Sequence, residues 1–512
     1  MAPPMRLRAR VKGTDMYVDA TYPQAMANTP MGGSASAPYQ TAGRGPRSRA
    51  WRAPGIGPNA ALDYSAGTLR RQTRELMRQN PTARTIRDRL TSNVVGTGIV
   101  PEIADEAVKV AFNAWTDDCA LDGTLDFYGI QDQAFAAVVE AGEVLVRFRL
   151  VDNAIPGTVP LRLQVLEAEY LTTERNEDLG GGAYIRQGVE FNGQGQRVAY
   201  WLWPTHPEDL SPGTYNFTPT RVPASEIIHL FRPDRPGQIR GITWLASILG
   251  LLKDIAEYND AEVVRKKVAA LFVGFVKRPF PKDGVDSDDL VKMFGAAAAV
   301  SDDNVGNVEM EPGSLQFLDP GEEIEFAEPA DVGNQYAEFL KQQWQSIAAA
   351  MGILYEQLRG DYASGNDRLY RAAINEFKRR IRQLQHHLMV FQLCRPVWNR
   401  WVLVAKLVGV IPADYVGSAV PWLPEEWPYI NPLQDVQATL AEIRGGINSR
   451  TRAAAARRSS AAEIDAENAR DQTRAAGMGL VYDANARQVD NRGQMQPEAA
   501  PEVDDPEPED KP

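Results

Sequence analysis

The stretch from Ala348 to Arg380 reads AAAMGILYEQLRGDYASGNDRLYRAAINEFKRR, and the fold turns on how it is read. A polar, glycine-containing segment, DYASGN at 361–366, interrupts two strongly helical runs. Arg359, Asp361, Tyr362, Ser364, Asn366 and Arg368 crowd together there as the groups of an active site would. The competing reading is a solvated loop between helices. In that case Asn366 or Asp367 caps the second helix with a side-chain oxygen.

Downstream, Ala373, Phe377, Ile381, Leu384, Leu388 and Phe391 recur at helical spacing and predict the buried stripe of a helix from about 367 to 394. Its other side is basic. Arg368, Arg371, Lys378, Arg379, Arg380 and Arg382 stand against a single acid, Glu376. Such a face is solvated, packs on another subunit, or touches a polyanion. Arg395-Pro396 predicts a kink or an end, because proline lacks a backbone donor and clashes with the preceding turn. Upstream, QYAEFLKQQWQSIAAAMGILYEQL predicts another helix. Further back, ITWLASILGLLKDIAEYNDAEVVRKKVAALF carries Leu245, Ile248, Leu249, Leu252 and Ile255 on one stripe. Lys253/Glu257 and Glu262/Lys266 stand there as i,i+4 pairs. Roughly 28 residues at this pitch make a rod of about 42 Å.

The rest of the chain frames these helices. Residues 61–95 are helical in pattern, with a break at Asn80-Pro81. The period then changes. Val144, Val146, Phe148 and Leu150 alternate, and so do Leu161, Leu163 and Val165, as in half-buried strands. Asn192-Gly193 marks a hairpin, and EIIHLFRP a further strand. Residues 273–330 read as a compact module with a strand at each end, where Asp319-Pro320-Gly321-Glu322 reverses the chain. Ala/Arg/Glu-rich helical segments follow Leu433. The fold class is α+β, predominantly α. Residues 1–60, with eight Lys/Arg and two Asp among many Pro, Gly, Ala and Ser, read as a disordered basic arm. The tail 481–512, which ends PEAAPEVDDPEPEDKP, reads as acidic and disordered.

The formal net charge of -12 argues against a protein that grips DNA non-specifically, since phosphate neutralisation needs a basic balance. Two distant cysteines, Cys119 and Cys394, fit core thiols in a reducing compartment. No apolar run approaches the length of a membrane span. Searches for chemistry end in absences. None of the twelve lysines precedes Ser or Thr, so no phosphate loop of the G-x-x-x-x-G-K-[ST] type exists. No H-E-x-x-H or G-x-S-x-G occurs. The calcium-loop-like run from Asp302 has Gly306 and Gly313 where ligands are needed. His386-His387 cannot share a helix face, and His206 and His229 read as structural. Asp234, Glu376 and Lys378 loosely imitate a metal-dependent nuclease, but Glu376 and Lys378 diverge on their helix. Glu140 and Glu143 bracket a helix-to-strand turn, either as paired acid/base carboxylates or as groups that cap or solvate that turn. No catalytic residue, metal site or cofactor follows.

The order of elements resembles the lambda-type family of tailed-phage portal proteins. The resemblance rests on NPTARTIRDRLTSNVVGTGIVP (80–101), FNAWTDDCALDGTLDFYGIQ (112–131), GEVLVRFR (142–149), LQVLEAEYL (163–171), IRQGVEFNGQGQRVAYWL (185–202), IIHLFRPDRPGQIRGITWLA (227–246) and the opening stretch. It implies a non-enzymatic ring, expected to be dodecameric, at one capsid vertex of the virion, assembled in the host cytoplasm. Double-stranded DNA would be packaged and ejected through its axial channel. The partners implied are the terminase large subunit, neck or head-completion proteins and the major capsid protein. It also labels the chain: wing at 61–240, first stem helix at 241–272, clip at 273–330, second stem helix at 335–357 and tunnel loop at 358–368. A long kinked wing helix and connection would follow at 369–432, and a helical crown at 433–480. Arg359, Asp361, Tyr362, Ser364, Asn366 and Arg368 then fall in the tunnel loop. Arg371, Lys378, Arg379 and Arg382 make a polyanion or inter-subunit face, and Asp319, Gly321, Glu322 and Glu323 the clip's docking site. The alternatives are another head-joining or scaffold component of the virion, and the nuclease.

Overall fold

The structure, a computed structural model, describes residues 6–10, 17–21, 55–151, 158–209, 218–270, 274–277, 323–326, 335–362, 367–417, 420–425, 427, 432–457, 459–480 and 482. The chain divides into two compact units, Met1–Gly57 and Pro58–Pro512. In the first, β1 (Arg6–Arg10) pairs antiparallel with β2 (Tyr17–Thr21). Two short segments of the expected basic arm are therefore paired strands.

The second unit opens on α1 (Pro58–Gln79) and α2 (Pro81–Val94). The break between them is a cap. Asn80 accepts from the Thr82 and Ala83 N–H groups at 2.9 and 3.2 Å, and Pro81 fills the first helical position, where no donor is needed. A two-residue β3 (Val100–Pro101) precedes α3 (Glu106–Thr116) and α4 (Phe127–Ala141), capped by Asp105 and Asp126. Gly142, at φ 91°, ends α4 in the left-handed conformation, and β4 begins at the next residue.

β4 (Glu143–Leu150) is the middle strand of an antiparallel sheet ordered β11-β4-β5, with β5 at Leu161–Glu167 and β11 at Ile227–Phe231. The alternation expected of β4 is absent. Glu143 to Val146 are all buried, and exposure begins only towards Arg149 and Leu150. The reason is that both faces of its first half are covered. Val144 and Val146 belong to the large core shared with the helices, and Leu145 to a second, smaller core. That second core contains residues of a five-stranded antiparallel sheet: β6 (Glu177–Gly180), β7 (Ala183–Arg186), β8 (Val189–Phe191), β9 (Arg197–Leu202) and β10 (Thr220–Pro223).

A 3-10 turn at Trp244–Ser247 leads into α5 (Leu249–Ala270), about 33 Å long and shorter than the predicted rod. Both predicted pairs on it form, Lys253–Glu257 at 3.6 Å and Lys266–Glu262 at 3.8 Å. β12 (Gly274–Lys277) and β13 (Glu323–Phe326) pair antiparallel, as the two ends of the expected 273–330 module should. The residues between these strands, including the calcium-loop-like run, lie outside the described set.

α6 (Gln335–Met351) and α7 (Tyr355–Arg359) precede the opening loop, and α8 (Asp367–Leu384) follows it. The helix does not end at Pro396. It widens into a π-helix over Gln385–Cys394 and then continues as α9 (Arg395–Leu407). The Arg395 N–H donates five residues back, to the Val390 carbonyl. In that wider bore the next donor, which proline lacks, is the one omitted. The wider turn also rotates the buried face. Phe377, Ile381, Leu384 and Leu388 are buried as predicted, whereas Phe391 is 62% exposed. On α9, Trp398 and Trp401 stack on each other and pack against Phe112, and Trp401 also against Trp115, at ring-centroid distances of 5.1–6.5 Å. β14 (Trp422–Leu423) pairs with β3. α10 (Pro432–Arg444), α11 (Arg450–Ala455) and α12 (Ala461–Gly477) follow, and no residue of α10 or α12 is buried. Among the described residues no helix is long and apolar enough to cross a membrane.

Candidate functional site

The opening stretch is a chain reversal with defined ends. α6 closes in a Schellman-type turn: the Ile353 N–H donates to the Ala348 carbonyl at 3.0 Å, and the Gly352 N–H to the Ala349 carbonyl at 3.1 Å. Gly352 takes φ 66° there, and Gly360 ends α7 at φ 70°. Arg359, the last residue of α7, lays its guanidinium over the Trp344 ring of α6 at 4.9 Å. Asp361 is half-buried. Tyr362 is exposed and meets Tyr370 of α8 edge-on at 6.0 Å. Ser364 and Asn366 lie outside the described residues, so the active-site cluster is only partly in view.

On α8 the basic residues part company. Arg368, Arg379 and Arg382 are exposed, and Arg371 and Lys378 half-buried. Lys378 and Arg382 sit over the ring of Trp427, 5.6 and 5.8 Å from its centroid. The Trp427 indole N–H in turn donates to Asn93 of α2 at 3.4 Å. Two of the four predicted face residues thus tie α8 to the connection after α9, a link that helical spacing alone does not reveal. Of the docking residues expected in the clip, Glu323 opens β13 opposite Lys277. Asp319, Gly321 and Glu322 lie outside the described residues.

The densest electrostatic site is elsewhere, and sequence reasoning touched only its edge. Glu143 does not cap or solvate its turn; its side chain is fully buried. Arg70 of α1 approaches it at 3.1 Å, and the Arg240 Nε donates to both its oxygens at 2.8 and 3.0 Å. The Gly241 N–H donates at 2.8 Å, and His229 Nε2 lies at 2.9 Å. Arg240 also donates to the carbonyls of Ala168, Gln187 and Leu171, at 3.1, 3.1 and 3.5 Å. Burial alone would raise the Glu143 carboxyl; Arg240 and the His229 hydrogen bond outweigh it and hold the group well below the usual carboxylate range. Burial pushes His229 down to about 4, against the opposing pull of Glu143. The imidazole is neutral at pH 7. Its Nδ1, 3.3 Å from Arg197, accepts, so Nε2 carries the proton and donates to Glu143.

The backbone makes this possible. Gly142 and Gly241 touch: a Cβ on Gly241 would lie 2.1 Å from the Gly142 carbonyl oxygen, and one on Gly142 would lie 2.2 Å from the Ile242 carbonyl carbon. Thr243, next in line, donates to Val139 at 3.4 Å and accepts from Thr73 of α1 at 3.1 Å. The site thus joins α1, α4, β4, β11 and the root of α5. A carboxylate with every oxygen paired, out of reach of solvent, binds these elements together.

Glu140 stands apart from it, among Arg74 and Arg87 at 3.5 Å each. Glu167, Glu169 and His206 lie close enough together to hold a metal ion. Arg74 already occupies the place of the cation, 2.9 Å from Glu167 and 2.8 Å from Glu169. In the nuclease imitation, Asp234 is engaged by Arg232 at 3.1 Å, and Glu376 is exposed on α8.

Residues 44–385 match the family model described as "Phage portal protein, lambda family". The chain is 27% identical over 402 residues to the "Probable portal protein" of Halomonas phage phiHAP-1, covering 73% of this chain and 74% of that one. It is 23% identical over 492 residues to the portal protein of Escherichia phage N15, covering 85% and 90%. It is 22% identical over 491 residues to portal protein B of Escherichia phage lambda, covering 85% and 89%. Among solved structures, a chain in the neck of a native GTA particle treated with C12 symmetry aligns at TM-score 0.43 and 14% identity, over 74% of this chain and 91% of that one. An HK97-family phage portal protein from Corynebacterium diphtheriae aligns at TM-score 0.30 and 13% identity, over 70% and 94%.

Proposed function

This chain belongs to the lambda family of phage portal proteins, and from that premise we propose that it assembles as a closed ring at one capsid vertex, with double-stranded DNA passing along the axis. The observation that carries the reading is the extent of the family match, which reaches from before α1 to the start of the π-helix. The stem helices support it. α5 and α6 leave Val263, Val264 and Phe339 about half exposed, and α10 leaves Leu433, Val436 and Leu440 at helical spacing in solvent. Apolar surface of this kind on long, lightly packed helices is what neighbouring copies in a ring cover. The wing would be 61–240, the stem helices 241–272 and 335–357, the clip 273–330, the tunnel loop 358–368 and the crown 433–480.

The acidic balance suits passage. A wall dense in Lys and Arg would gain free energy from counterion release and hold DNA back. Arg368, exposed beside the loop, and Arg379, exposed further along α8, offer local basic rings on an otherwise acidic particle. The clip, around Asp319, Gly321, Glu322 and Glu323, is the docking site for terminase during packaging and for neck proteins afterwards. The ring would be built in the host cytoplasm and remain in the virion. Electron microscopy of the purified protein tests the reading: rings with an open axis are expected, and a strict monomer at all concentrations overturns it. Shortening 361–366 should leave rings intact and lower DNA packaging or retention, and normal packaging by such rings would remove the loop from the channel.

A further inference from the structure

We propose that the acidic tail following α12 docks in the cleft between α10, α11 and α12 of its own subunit, where it takes the place of an outside polyanion. The cleft has a volume of about 410 Å³. Val436, Leu440 and Ile443 of α10 and Ile464 of α12 give it an apolar lining. Val436 and Leu440 are still 38% and 49% exposed, so the three helices do not cover that lining by themselves. The charged side chains around it are all arginines: Arg444, Arg450 and Arg457. The sequence explains the sign. Residues 443–462 hold five arginines and no acid, in a chain of formal net charge -12. The acids that flank this tract do little to offset it. Glu463 pairs with Lys109 of α3, and Glu442 accepts from Asn448 at 3.1 Å. Asp465 meets Arg450 at 2.5 Å, in a pair whose side chains are both more than half exposed.

The occupant follows from the chain that continues beyond α12. Residues 483–512, outside the described set, carry nine acids against three basic residues, and six of the nine fall between Glu502 and Asp510. Val503 stands beside them as an apolar anchor for the cleft. Pro501, Pro506 and Pro508 favour an extended chain, which lowers the cost of ordering it on a surface. The reach is ample: α12 is about 25 Å long, and the chain from Tyr482 to Val503 can span roughly 70 Å. The undescribed residues that adjoin α10 and α11 in sequence, 428–431 and 458, contain no acid and cannot supply the counter-charge. A second copy presenting the same face would set arginine against arginine; Leu433, which does not line the cleft, stays for neighbouring copies. What the docking means for DNA rests on the ring reading above, whereas the docking itself does not. An open row of arginines would gain counterion-release free energy from each passing phosphate. The tail supplies that anion from within. Its tether presents it at about millimolar local concentration, so a segment that binds at about 0.1 mM when free would fill the cleft about nine-tenths of the time and weaken an outside anion about tenfold.

The test compares the full-length wild type with a full-length neutral-tail variant carrying Glu502→Gln, Asp504→Asn, Asp505→Asn, Glu507→Gln, Glu509→Gln and Asp510→Asn. Fluorescence anisotropy follows a labelled peptide of residues 498–512, and separately a short labelled DNA duplex, over a salt series. The neutral-tail variant should bind both about tenfold more tightly than the wild type, with affinity falling as salt rises. Adding Arg444→Gln and Arg450→Gln should cancel the gain. Both side chains are exposed, so melting should not change. Equal peptide affinity in the wild type and the variant would overturn the docking. So would a gain that survives the two arginine substitutions, because the peptide would then bind elsewhere. If the variant takes no peptide and Leu440→Asp lowers its association into oligomers, a second copy covers the cleft and the proposal falls. Electron microscopy of the same samples judges the ring reading separately: a protein without rings refutes that reading and leaves the peptide result as it stands.

Discussion

Glu143→Gln removes one charge from the buried centre that joins α1, α4, β4 and β11, and keeps the side chain's shape. The cost follows from what remains. Arg70 keeps a second acid, Glu169, at 3.7 Å. Arg240, with 3% of its side chain exposed, keeps only the carbonyls of Ala168, Gln187 and Leu171. A guanidinium buried there without a counter-charge should destabilise the subunit by about 3–5 kcal/mol. Against a typical stability of about 5–15 kcal/mol that is a large share, and in a folding unit of this length it should lower the melting midpoint by roughly 3–5 °C. Thermal unfolding followed by circular dichroism measures it. The decisive variant is Glu143→Gln with Arg240→Met, in which no orphan charge remains. It should be more stable than Glu143→Gln alone, a coupling that independent sites would not show. A loss below about 1 kcal/mol for the single variant, or a double variant worse than the single, would refute the claim that ionic balance holds this centre.

The two touching glycines make a paired prediction: Gly241→Ala and Gly142→Ala should each cost about 2–5 kcal/mol, because the added methyl meets backbone that cannot swing away. Gly250→Ala on α5, with nothing within 4 Å, should be neutral or gain up to about 1 kcal/mol, and melting curves of the three read the contrast directly. His229 should impose a pH dependence. Its pKa is depressed in the fold, to about 4, so the unfolded chain binds the proton first and stability falls as pH drops below about 6.5. Between about pH 6.5 and 4.5, above the range where ordinary carboxylates titrate, the loss should approach about 2 kcal/mol. His229→Gln should flatten that part of the profile, and an unchanged slope would mean the imidazole is not held neutral.

Much of the helical frame was legible because its signals are local. Asn80-Pro81 caps and starts a helix, Gly142 stops one, and the stripe Phe377-Ile381-Leu384-Leu388 keeps a constant period. Where the reading failed, the deciding physics was not local. Phe391 left the stripe because the bore of the helix changes at Gln385, and no residue-by-residue pattern records that. β4 did not alternate because a second sheet covers its other face, a fact held by residues as distant as Val222 and Ile239. Glu143 looked like a turn residue since its partners, Arg70, His229 and Arg240, lie 73, 86 and 97 residues away. A glutamate directly after a helix-ending glycine and opening an apolar strand was the available clue. It points to burial, and burial of a carboxylate demands cations somewhere in the chain.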